Sequence, residues 1–215
     1  SEPVNIMHFI RNTLLAATVV SLASCTTVKY NTLEKIGIHK RDLLVGNVED
    51  TRDAQEDAQE EFKDALERFA SVVSVEDTKL KKAYESLSDE YEDARDAADE
   101  VSEQIEEVED VARDLFKEWR EEIKSYSDAV YKRDSETKLR DTEARYEEMH
   151  KSMKQAEASM QPVLTSLHDN VLYLKHNLNA QAVGSLRTTY SNLEGDISVL
   201  VERMNQSIAR SNDFI

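Results

Sequence analysis

The chain has 215 residues, with 27 Lys+Arg against 44 Asp+Glu, a formal charge of -17, 4 Gly and 2 Pro. A β-sandwich or α/β domain of this length needs many more turns than six such residues supply, so composition leaves long helices. The acidic balance also disfavours nucleic acid, which calls for a basic surface.

Residues 1–24 differ from everything after them. Arg11 is their only Lys or Arg, and an apolar run from Leu14 to Leu22 follows it. A membrane-spanning helix needs roughly 20 apolar residues, and this run falls far short; a secretory leader needs no more. Met7 is the expected start, which leaves residues 1–6 upstream of it. The run ends in Leu22-Ala23-Ser24-Cys25, which resembles the lipobox of bacterial lipoproteins. In that family the leader is cut before the cysteine, which then carries acyl chains. The resemblance therefore implies Leu22, Ala23 and Ser24 as lipobox, Cys25 as the lipidation site, and a membrane partner held by lipid. Thr26, where Asp would favour the inner membrane, implies the outer membrane of a two-membrane bacterium, facing the periplasm. A buried apolar helix ending in a free thiol is the competing reading. Cys25 is the only cysteine, so no internal disulfide exists. Residues 25–39 would form a tether reaching at most about 50 Å.

From residue 40 onward, one helical-bundle domain is expected to residue 215. The first helix carries Leu44, Val48, Thr51, Gln55, Ala58, Phe62, Ala65, Phe69 and Val72, in alternating steps of four and three. Thr51 and Gln55 place polar groups on that seam. This costs stability unless they find partners, although a polar layer also fixes register. A turn is expected over 71–77. The second helix should open at an Asp77 cap and run to Ser127, about 75 Å. Its seam is Leu80, Tyr84, Leu87, Tyr91, Ala94, Ala98, Val101, Ile105, Val108, Ala112, Leu115 and Trp119, then a stutter into Ile123, Tyr126 and Val130.

The third helix should begin at Asp134 or Ser135. Its seam runs Leu139, Thr142, Tyr146, Met149, Met153, Ala156, Met160, Val163, Leu167, Val171, Leu174 and Leu178. Pro162 lies inside this pattern and should kink the helix rather than end it. Asn179 is the expected cap of a fourth helix carrying Leu186, Tyr190, Leu193, Ile197, Leu200, Met204 and Ile208. Short connections make neighbours antiparallel. The fold is thus an all-α, elongated antiparallel bundle of four long helices with coiled-coil-like packing; a three-helix version with a bent last helix is the alternative.

Charge is unevenly distributed. Asp42 to Leu115 holds 26 acidic and 8 basic residues, a net of -18, while the rest from Cys25 onward is close to neutral. A solvated face explains this, and so does a docking surface for a basic partner or a divalent cation.

Three segments, Lys40–Phe62, Asp89–Val101 and Leu174–Leu186, resemble a family of bacterial envelope lipoproteins catalogued as a domain of unknown function. The resemblance implies a helical envelope lipoprotein and carries no catalytic residues.

Catalytic chemistry finds no foothold in the sequence. There is no G-x-S-x-G, Walker loop or G-x-G-x-x-G. Glu147 and His150 form one Glu-x-x-His, but a bundle di-iron site needs two, and Thr165, Tyr173 and Ile36 occupy the matching places before the other histidines. His168, Asp169 and His176 read as ordinary helix residues rather than a metal set. Phe116, Trp119, Tyr126 and Tyr131 read as a core layer rather than a ligand cage, and Met149, Met153 and Met160 as core filler. No enzymatic activity, cofactor or metal is expected. The expected role is a membrane-anchored structural or protein-interaction module that binds an envelope protein or itself. The alternative is a ligand- or divalent-cation-binding bundle using the acidic hairpin.

Overall fold

A computed structural model describes residues 40–74 and 79–215. The four-and-three spacing becomes four α-helices: α1 (Lys40–Ser74), α2 (Leu80–Lys124), α3 (Ala129–His176) and α4 (Ala180–Phe214). No strand occurs among the described residues. The leader, the lipobox, Cys25, the tether and the Asp77 cap lie outside them.

Cross-helix pairs fix direction and register. Lys40 pairs with Glu118 and Arg68 with Glu90, so 28 residues up α1 match 28 residues down α2. On α2 and α3, His150 meets Glu109 and His168 meets Tyr91, an 18-residue step in each helix with opposite sense. On α1 and α4, Arg52 bonds Asn212 and Gln59 bonds Asn205, seven residues each way. Every helix packs on its sequence neighbours, and α4 closes back on α1. This is an up-down-up-down four-helix bundle, the arrangement that short connections favour. With 45 residues, α2 alone is about 68 Å long.

All nine seam positions read from α1 are buried. In α2 the eight small or aliphatic positions from Leu80 to Ala112 are buried, and Tyr84 and Tyr91 are half-buried. Past Ala112 the buried row passes to Phe116 and then Ile123, leaving Leu115 and Trp119 half-buried. The stripe therefore shifts face one heptad before the expected stutter. In α3 the row from Met149 to Leu174 is buried as expected. The helix runs unbroken through Pro162, which faces solvent, where water can take the carbonyl its ring leaves unbonded.

The α2–α3 junction differs from expectation. α2 stops at Lys124, not Ser127, and α3 starts at Ala129, not Asp134. Asp128 is the reason: its carboxylate accepts from the N–H groups of Val130 and Tyr131, at 2.7 and 3.2 Å. Tyr126 and Val130 consequently leave the seam and are 46% and 63% exposed. Leu178 also falls outside its helix, which ends at an Asn177 cap, and it faces solvent. Asn179 does cap α4, accepting from Ala182 N–H at 3.1 Å, so four helices replace the bent three-helix alternative.

The polar seam of α1 is only half resolved. Thr51 Oγ1 donates to the Asn47 carbonyl at 2.8 Å, inside its own helix. Gln55 is fully buried with neither amide atom bonded, and the Ser207 hydroxyl on α4 is buried in the same condition. Each unbonded buried polar group costs about 1–3 kcal/mol.

Candidate functional site

A concentration of acidic side chains faces a groove between α1 and α2. Ala54, Ala58 and Ala65 on α1 and Ala94 and Ala98 on α2 are buried, so small side chains line the contact between these two helices. Beside it lies an open groove of about 330 Å³, floored by Ala54 and Ala97 and lined by Asp57, Glu60, Glu61, Asp93, Asp96 and Glu100. The heptad explains the arrangement: alanine takes the inner positions, and carboxylates take the flanking positions of both helices.

Two of these acids, Glu61 and Asp93, join Glu90 in a cluster in which each residue has a carboxylate oxygen within 4.8 Å of the others. Glu90 is already held by Arg68, whose Nε donates to it at 2.9 Å. Glu61 and Asp93 pair with no cation among the described residues. Burial raises the Glu61 pKa above its ordinary 4.5, and repulsion from Asp93, Asp64, Glu90 and Glu60 raises it further. The folded state therefore holds this proton to higher pH than the unfolded chain does. The destabilisation is complete above the raised pKa, and it disappears as pH falls below 4.5. Glu61→Gln should raise stability at pH 7 by a few tenths of a kcal/mol, roughly the size of a surface like-charge pair. Chemical denaturation at pH 7 and pH 4 checks this. A variant less stable at pH 7 would mean that Glu61 makes a favourable contact instead.

The other candidates are not brought together as sites. His150 Nε2 lies 2.7 Å from Glu109 Oε1 on α2, and Glu147 is exposed, so the single Glu-x-x-His is divided between a cross-helix bond and solvent. Tyr146 stacks on His150 with centroids 5.5 Å apart and meets the Phe116 ring edge-on. Burial, with Glu109 and Glu147 nearby, pushes its hydroxyl up to about 12. His168 sits against Tyr91 with Asp169 beside it, and His176 is exposed eight residues on, about 12 Å along α3. Met149, Met153 and Met160 are buried core, as expected. The expected aromatic layer splits. Phe116 is buried, Trp119 is half-buried with its Nε1 donating to Ser135 Oγ at 2.9 Å, and Tyr126 and Tyr131 are exposed.

The acidic hairpin is legible in the sequence, but the α1–α2 pairing that focuses six of its carboxylates on one groove is not. The signal that could have found it is the run of alanines flanked by acids at 54–61 and 93–100. No described helix is long and apolar enough to cross a membrane.

By fold and surface this is an antiparallel four-helix bundle with an acidic leading hairpin. The chain belongs to the DUF2959 family, described as a protein of unknown function, whose model matches residues 29–215. No curated protein and no solved structure matches it.

Proposed function

We propose that this protein is a non-enzymatic, lipid-anchored bundle of the bacterial cell envelope that uses its acidic α1–α2 face to dock a cationic partner protein. The observation that carries the docking half is the groove itself: six carboxylates on one face, with Glu61 and Asp93 paired to no cation among the described residues. The anchoring half is supported by the Leu22-Ala23-Ser24-Cys25 motif. Anchored at Cys25, the bundle would stay close to the bilayer, and Thr26 favours the periplasmic face of an outer membrane. A partner recognised by charge would associate fast and release in salt.

Crosslinking and mass spectrometry in the native envelope test this reading against a groove variant carrying Asp57→Asn, Glu61→Gln, Asp93→Asn and Asp96→Asn. Wild type should capture a basic partner in a salt-sensitive way, and the variant should lose it. Recovery of only the chain itself, or of the same partners by both forms, would remove the docking claim.

A second reading has one observation in its favour, the Glu61, Glu90 and Asp93 cluster, which is a geometry that suits a divalent cation. Calorimetry with calcium and magnesium decides it: no heat at millimolar metal eliminates that alternative.

A further inference from the structure

We infer that the α2–α3 turn is a lipid-contacting tip, through which Tyr126, Val130 and Tyr131 rest on the surface of an anionic bilayer. The inference rests on the lipid-anchor reading above and adds to it where on the bundle the membrane is met.

The register carries the argument. Lys40, the first residue of α1, pairs with Glu118, so α2 continues six residues beyond that level before it ends at Lys124. At 1.5 Å per residue the α2–α3 hairpin projects about 9 Å past the point where the chain enters α1. At the other end of its partner, α4 finishes with Phe214 against Tyr146, well up α3 from its start at Ala129. The tip is thus a two-helix projection, on the same end of the bundle as Lys40, where α1 begins. Under the lipid-anchor reading, residues 25–39 span at most about 50 Å between Cys25 and the start of α1.

Its surface chemistry suits the headgroup region. Tyr126, Val130 and Tyr131 are 46%, 63% and 65% exposed, and the last two exceed every other exposed large apolar residue described. Tyrosine places an apolar ring and a polar hydroxyl at one interface, which is why it concentrates at membrane surfaces. Lys132 and Arg133 follow directly and form no ion pair among the described residues, which leaves two cations for lipid phosphates. The acids nearby are largely occupied: Glu121 pairs with Lys124, Asp134 with Lys138, and Asp128 caps α3. Glu122 and Glu136 remain without an ion pair there among the described residues. The strongly acidic groove lies farther along α2, around Asp93–Glu100, and would be held away from the anionic surface. Leu172, Tyr173 and Leu178 form the comparable exposed apolar group, but they sit at the opposite end of α3, away from the entry to α1.

The test uses the full acylated chain in vesicles of phosphatidylethanolamine and phosphatidylglycerol. Cys25 is the only cysteine, and acylation occupies its thiol, so Tyr131→Cys, Leu172→Cys and Val199→Cys each give one site for an environment-sensitive dye. Brominated lipids should quench the dye at 131 at least about threefold more than at 172 or 199, because quenching needs contact within the headgroup and upper acyl zone. Equal quenching at the three sites, or stronger quenching at 172, on protein that floats with the vesicles would overturn the tip while leaving the anchor intact. A blue shift at 131 that ignores lipid bromination and grows with protein density would mean that a second copy covers the turn, and would also overturn it. Protein that takes no palmitate label and does not float would defeat the anchor, and the tip with it.

Discussion

Ile105→Asp is expected to lower the melting temperature by roughly 10 °C or more and to leave the adjacent Glu106→Ala variant unchanged. Ile105 is fully buried in α2 between Val101 and Val108, which are themselves fully buried. The buried polar groups described are all neutral, namely Thr, Gln, Ser and Asn, so no cation waits in the core to pair with a new carboxylate. Burying an unpaired charge costs several kcal/mol, or forces protonation or local opening. Against a net stability of about 5–15 kcal/mol that is a large fraction, and in a chain of this size each kcal/mol moves the midpoint by about 2–4 °C. Glu106 is exposed, and surface truncation usually stays within about 0.5 kcal/mol. Melting followed by circular dichroism decides the matter. Matching midpoints for the two variants would mean that the helical phase of α2 is misassigned.

The second large effect belongs to Cys25→Ala. Under the lipid-anchor proposal, wild type incorporates radiolabelled palmitate and sediments with membranes. The variant lacks the only thiol in the chain and should incorporate none. A chain that is 33% charged favours water, whereas each CH₂ of an acyl chain contributes about 0.8 kcal/mol toward the membrane. The variant should move to the soluble fraction, or remain held by an uncleaved leader. Mass spectrometry of the N-terminus separates those two outcomes. Unlabelled wild type that still carries residues 1–24 would end the proposal.

How legible this fold is in sequence varies by helix, and the variation has causes. α1 reads cleanly because its inner row is continuous and both flanks are polar, so only one phase is possible. The α2–α3 junction misleads because Tyr126 and Val130 happen to extend the spacing past a real break. Spacing alone cannot weigh that against the Asp128 cap, whose two N–H bonds start α3. Buried serines are invisible to a hydrophobic pattern: Ser135, Ser159, Ser207 and Ser211 occupy core positions as small residues. Two of them have local solutions, since Ser159 and Ser211 donate to carbonyls of their own helix. The acidic groove was half legible. Its charge is plain in the sequence, but its shape depends on the register between α1 and α2, which only cross-helix pairs such as Arg68–Glu90 reveal.

The pairing of α1 with α4 bears on how the chain is made. Gln59 meets Asn205 and Arg52 meets Asn212 across separations of 146 and 160 residues. The α1–α2 hairpin assembles from neighbours in sequence, but one flank of α1 has no partner until the final 35-residue helix exists. A chain synthesised or threaded from its N-terminus therefore holds that apolar flank open throughout. Arrival of α4 and sealing of the core are one event, and a chain cut short before α4 would remain an unsealed, sticky three-helix fragment rather than a smaller version of the bundle.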